Sequence, residues 1–145
     1  MHSIFCCCSK FKKACGEESE TATSTCHHYG AITLTGYKPG ITNWVNQDAY
    51  FVDSKVVVQS STTSARSNKH IFGIFDGHGT LGHRVSSFCR DKLMDIQQLS
   101  GGDFPKAFEY LQEALVNSDI DIDSSGTTGT IVMIHEGKVE VSIVF

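Results

Sequence analysis

An aspartate, a glycine and a histidine in succession, Asp76-Gly77-His78, follow the apolar run "HIFGIF" and precede Gly79. If that run is a buried strand, its end sets a carboxylate, a backbone carbonyl and an imidazole side by side, with little side-chain bulk between them. Such a corner suits a hard cation: Mg²⁺ and Mn²⁺ take oxygen ligands and keep several waters, so a few carboxylates brought together from separate strands suffice to hold them. Asp48, in "VNQDAYFV", is the natural second contributor, because it too lies at the edge of a β-rich run. Taken alone, each residue has a plainer reading. Asp48 reads as a turn or capping aspartate, Asp76-Gly77 as a common turn, and His78 as a hydrogen-bonded histidine.

The elements that must position these residues are read from periodicity. In "AITLTGYKPG", Ile32 and Leu34 alternate with threonines before a turn at Pro39-Gly40, which predicts a short strand and a loop. "QDAYFVDSKVVVQS" gives two β-rich runs around Asp53-Ser54, which predicts a hairpin, and the polar "SSTTSARSNK" supplies a solvated connection. "HIFGIFD" is a short apolar run, consistent with a strand buried on both faces and ending at Asp76. Leu81, Val85, Phe88, Cys89, Leu93, Ile96 and Leu99 then fall at the spacings of an amphipathic helix. A second helix is announced by Gly101-Gly102, an Asp103 cap and Pro105, with Phe104, Ala107, Phe108, Leu111, Ala114 and Leu115 on one face. "SSGTTGTIVMIHEGKVEVSIVF" reads as a glycine-broken lead-in, a strand, a tight turn at Glu136-Gly137 and a second strand. Strands, two helices and strands in that order predict an α+β layered fold with helices packed on antiparallel sheet.

Composition bounds the function. The chain has 145 residues, of which 40% are hydrophobic, enough for one domain with a core. A formal net charge of −4 with no basic stripe argues against a nucleic-acid partner. Five of the six cysteines, Cys6, Cys7, Cys8, Cys15 and Cys26, precede residue 27, so they form no disulfide framework across the body. The amino-terminal run is too short for a signal peptide, and an intracellular, cytoplasmic protein is expected. Residues 1–29 read as a flexible Cys-rich tail and residues 30–145 as the folded part. Cys6, Cys7 and Cys8 beside Lys10, Lys12 and Lys13 suit S-acylation and peripheral membrane attachment, and they suit unmodified cysteines in a disordered tail as well. His2 excludes N-myristoylation, and Cys15, Cys26, His27 and His28 match no standard zinc spacing.

"NQDAYF", "FGIFDGHG", two amphipathic helices and "SGTTGT" before a hairpin together resemble the amino-terminal half of the catalytic domain of PP2C-type (PPM family) metal-dependent protein serine/threonine phosphatases. The resemblance covers residues 30–145. It implies a β-sandwich flanked by helices, truncated here after the first strands and two helices. It also implies a site holding two Mn²⁺ or Mg²⁺ ions when complete, and a phosphoprotein substrate. By resemblance Asp76 would bridge both ions, the Gly77 carbonyl would ligate one, Asp48 would assist directly or through water, and His78 would act as general acid. Gln47-Asp48 stands where many members have Glu-Asp, a variant similar to members with Asn-Gln-Asp. Asn43 stands where the family commonly has an arginine or lysine for the substrate phosphate; an amide lacks that charge-assisted grip, and Lys38 is the alternative contributor. The family's later Gly-Asp-Ser-Arg-like segment and further metal-binding aspartates are absent from this chain. The expectation is therefore that the 145 residues alone have little or no phosphatase activity and expose the edge of "KVEVSIVF". The competing expectation is a catalytically inactive PP2C-like binding or regulatory module, and beyond it an unrelated α+β domain with a chance Asp-Gly turn, in which Asp48 and Asp76 would lie apart.

Overall fold

A computed structural model describes residues 29–37, 39–59, 66–100, 102–135 and 137–145. The expectations for the tail before residue 29, including Cys6, Cys7 and Cys8, and for Lys38, most of the polar connection and Glu136 lie outside the described residues.

The elements run β1 (Asp48–Gln59), β2 (Arg66–Gly79), α1 (Gly82–Leu99), α2 (Phe104–Val116), β3 (Ser125–Thr127), β4 (Gly129–His135) and β5 (Lys138–Val144). The sheet has the order β1-β2-β4-β5, every pairing is antiparallel, and β3 joins the far end of β2. With two helices against this sheet, the α+β architecture is as the element order predicts. Among the described residues no helix is long and apolar enough to cross a membrane.

The helices cover one face of the sheet. Val85, Cys89, Leu93 and Ile96 of α1 and Phe104, Ala107, Leu111 and Leu115 of α2 pack with Ala49, Ile71, Phe75, Ile131 and Met133. Asp103 caps α2 as its position predicts: its side chain accepts the Lys106 N–H at 3.1 Å. Such a cap stabilises a helix by about 1 kcal/mol.

Four expectations are corrected. The run around Asp53-Ser54 is not a hairpin but a single strand, β1, whose partner is β2. Asp53 pairs with Ile71 and Val56 with Lys69, so Ser54 and Lys55 stand opposite His70 alone. A bulge at Ser54 and Lys55 takes up the stretch that mimics a turn. Ile32 and Leu34 form no strand and are 58% and 74% exposed. Alternation does not make a strand where no neighbour takes up the backbone groups, and this arm is held instead by Asn46 Nδ2 donating to Thr33 Oγ1 and by Tyr29 edge-on to Phe72. Finally, β2 is buried on one face only. Ile71, Gly73 and Phe75 are buried, whereas Phe72 and Ile74 on the side away from the helices are half-buried. The strand also continues past Asp76 to Gly79, where β3 pairs with it.

Candidate active site

The antiparallel register of β1 and β2 sets Asp48 directly opposite Asp76. Opposed residues of such a pair hold their Cβ atoms about 5 Å apart, so two carboxylates from distant parts of the chain share one face of the ladder. Burial, the charge of Asp48 and a hydrogen bond between the two carboxyls hold Asp76 above the usual carboxylate range, while the charge of His78 acts the other way. An upward shift of this kind is what two like charges brought together without a counter-ion produce.

Asp48 is presented by the residues just before it. Asn46 Oδ1 accepts the Asp48 N–H at 3.1 Å, a turn that starts the strand. The Gln47 carbonyl accepts two bonds, from the Gly77 N–H at 3.1 Å and from Ser86 Oγ at 2.6 Å. Ser86 is 1% exposed, so the second bond fixes β1 to α1 from inside the core. The Gln47 side chain reaches in the other direction and donates from Nε2 to the Gly79 carbonyl at 2.7 Å.

Asp76 is fixed from the opposite side by Thr128, whose Oγ1 accepts the Asp76 N–H and whose N–H donates to the Asp76 carbonyl at 3.0 Å. Gly77 must be glycine for reasons of space: a Cβ there would run into the carbonyl oxygens of Gln47 and Gly82, both backbone. Gly79 has φ +83°, and a Cβ on it would meet the Ser124 carbonyl. Between these two glycines His78 pairs with Gly126 and is exposed. A Cβ on Gly126 would lie 2.7 Å from His78 Nε2, so the imidazole rests over that glycine. The "SGTTGT" segment thus supplies the bed of His78 through Gly126 and the brace of Asp76 through Thr128.

The structure therefore brings together Asp48, Asp76, Gly77 and His78. Asn43 is exposed on the bend five residues before Asp48, with no hydrogen bond to these four among the described residues. Nor does any group of three or more His, Cys, Asp or Glu side chains placed to hold a metal ion occur among the described residues. Two residues that sequence reasoning did not place in the site are Ser86 and, as a structural tie, Gln47. Ser86 had a signal: it interrupts the apolar stripe of α1 three residues before Cys89, and a polar group on a buried face must find a partner. Gln47 was marked only by its place before Asp48, since the tie its side chain makes depends on where Gly79 returns in space.

No protein-family model matches the chain. It is 30% identical over 121 residues to the Probable protein phosphatase 2C 35 of Arabidopsis thaliana, an alignment covering 79% of this chain and 33% of that protein. It is 24% identical over 134 residues to the Protein phosphatase 2C homolog 2 of Saccharomyces cerevisiae, covering 84% of this chain and 26% of the relative. The chain thus spans 33% and 26% of the lengths of these two relatives. The likeness to PP2C-type phosphatases therefore covers most of this chain and a third or less of each relative.

Proposed function

We propose that this chain supplies one side of a metal-dependent site that hydrolyses phosphoserine and phosphothreonine in proteins. The observation that carries this reading is the pairing of Asp48 with Asp76 at the start of an Asp-Gly-His-Gly segment. The donor set fits Mn²⁺ or Mg²⁺: two carboxylates and the Gly77 carbonyl are hard oxygen ligands, and a cation would relieve the repulsion from Asp48 that helps raise the pKa of Asp76. When bound, such ions would supply a more acidic water and offset charge on the phosphoryl oxygens. The work of the protein's own groups follows from their positions. Asp48 and Asp76 would hold the cations through their carboxylates. His78, exposed above Gly126, gives its proton to the serine or threonine oxygen as the P–O bond to that oxygen breaks and a bond from water to phosphorus forms. Asn43 would offer the phosphate a neutral hydrogen bond.

Because only two carboxylates gather among the described residues, paired ions should be held weakly and residues 1–145 alone should turn over little or no phosphopeptide. That same feature, with Asn43 in place of a cationic residue, favours the second reading, a PP2C-like module that binds without catalysis. The test is phosphate release from a phosphothreonine peptide by the full protein that carries these residues, with Mn²⁺ and with chelator. Mn²⁺-dependent release lost in Asp76→Asn supports the phosphatase. Absence of release from the full protein, with Mn²⁺ binding intact, favours the module. Tethering to membranes through acylated Cys6, Cys7 and Cys8 belongs to the same proposal, and palmitate labelling lost on their joint replacement by serine tests it.

A further inference from the structure

Gln47 touches the Asp76–Gly79 segment at two points. Its carbonyl accepts the Gly77 N–H, and its side-chain amide donates to the Gly79 carbonyl at 2.7 Å. The amide orientation is fixed by chemistry, since a carbonyl can be met only by the NH₂ end. The oxygen end faces α1: a Cβ on Gly82 would stand 3.0 Å from Gln47 Oε1. His78 is the residue between the two tied glycines. Gly79 itself is in the left-handed region, at φ +83°. With the amide in place its carbonyl is held, and the direction in which His78 leaves the strand is held with it.

We propose that Gln47 is a positioning residue that fixes His78 by clamping the Gly79 carbonyl, and that its side chain is not a cation ligand. The proposal rests on the phosphatase reading for its catalytic consequence, but the clamp is testable without it. Glutamate at position 47 can neither donate to Gly79 nor approach that carbonyl without repulsion. It could, however, ligate a cation better than glutamine does. The substitution therefore separates the two roles.

The experiment uses Gln47→Glu and Gln47→Leu. In metal-free protein both should speed amide hydrogen exchange over residues 79–81 by about tenfold, the effect of losing one hydrogen bond of ordinary strength. Mn²⁺ titration should find Gln47→Glu binding no more tightly than the native chain. In the full protein, Gln47→Leu should lower kcat about tenfold on a phosphothreonine peptide, whose alkoxide leaving group needs a proton, and less than about twofold on p-nitrophenyl phosphate, whose leaving group does not. Tighter Mn²⁺ binding by Gln47→Glu, unchanged exchange at residues 79–81, or equal losses on both substrates would each overturn the proposal. A native protein that binds no Mn²⁺ and releases no phosphate would instead sink the phosphatase reading, while the exchange measurement would still decide the clamp.

Discussion

Replacing Asp76 by asparagine should stabilise the metal-free protein at neutral pH and destroy its response to Mn²⁺. The register places Asp48 and Asp76 opposite one another, with Cβ atoms about 5 Å apart. Two unit charges at that distance repel by about 3 kcal/mol at an effective dielectric constant near 20 and by about 1 kcal/mol in water. Both residues are only half-buried, so solvent screening selects the lower figure. The direction with pH follows from Asp76 being held above the usual carboxylate range. The folded state binds a proton more tightly than the unfolded chain, so this contribution is present below about pH 4 and is lost as pH rises through the raised value. At neutral pH the pair is a cost. The amide introduced by Asp76→Asn would keep a hydrogen bond to Asp48 while removing one charge, which gives about 1 kcal/mol, or roughly 3–4 °C in Tm for a fold of this size. Thermal unfolding followed by circular dichroism, in chelator and in Mn²⁺, at about pH 7 and about pH 3, checks this. In chelator the variant should melt higher at neutral pH and show no advantage in acid; in Mn²⁺ only the native protein should gain, which reverses the order. A variant that melts lower in chelator at neutral pH, or gains as much from Mn²⁺, would refute the reasoning.

Gly77→Ala should cost about 2–4 kcal/mol in urea denaturation and abolish Mn²⁺ binding, because the added methyl group meets two backbone carbonyls that can yield only if β1 and the start of α1 move away from β2. Ser86→Ala removes one of two donors to the Gln47 carbonyl. With the Gly77 N–H still in place the loss should be about 1 kcal/mol by the same denaturation measurement, with little change in Mn²⁺ affinity.

The parts of the fold that were legible are those in which local chemistry and tertiary packing agree. Asp103, Pro105 and the apolar stripe over Phe104 to Leu115 each specify α2 without reference to the rest of the chain, and the turn before Lys138 fixes the register of β4 with β5 through its own length. Asp53-Ser54 misled because a bulge and a hairpin turn draw on the same polar residues, and what separates them is whether the next run pairs with β1 or with β2. Ile32 and Leu34 misled for a related reason: alternation describes a surface that could be covered, and the cover has to come from elsewhere. The same limit applies to the site. The Asp76-Gly77-His78 cluster is contiguous and could be read directly, and Asp48 could be named as a partner from its place at a strand edge. That Asp48 stands opposite Asp76, and not a residue away on the other face, is set by a pairing between strands whose register no local signal contains.

That register is guarded by contacts that a chance Asp-Gly turn would not need. A slip of one residue would move Asp48 to the opposite face of the sheet. It is opposed by the Gly77 N–H on the Gln47 carbonyl, by the buried Ser86 hydroxyl on the same oxygen, and by the Thr128 brace on Asp76. These contacts hold together two carboxylates that repel at neutral pH, while Phe75, Leu93 and Ile131 of the core supply buried apolar area enough to outweigh a repulsion of about 1 kcal/mol. A pair that served only the fold would be improved by replacing either aspartate with a neutral residue. A cation held between the two carboxylates would remove that repulsion, which is the role the proposed site gives them.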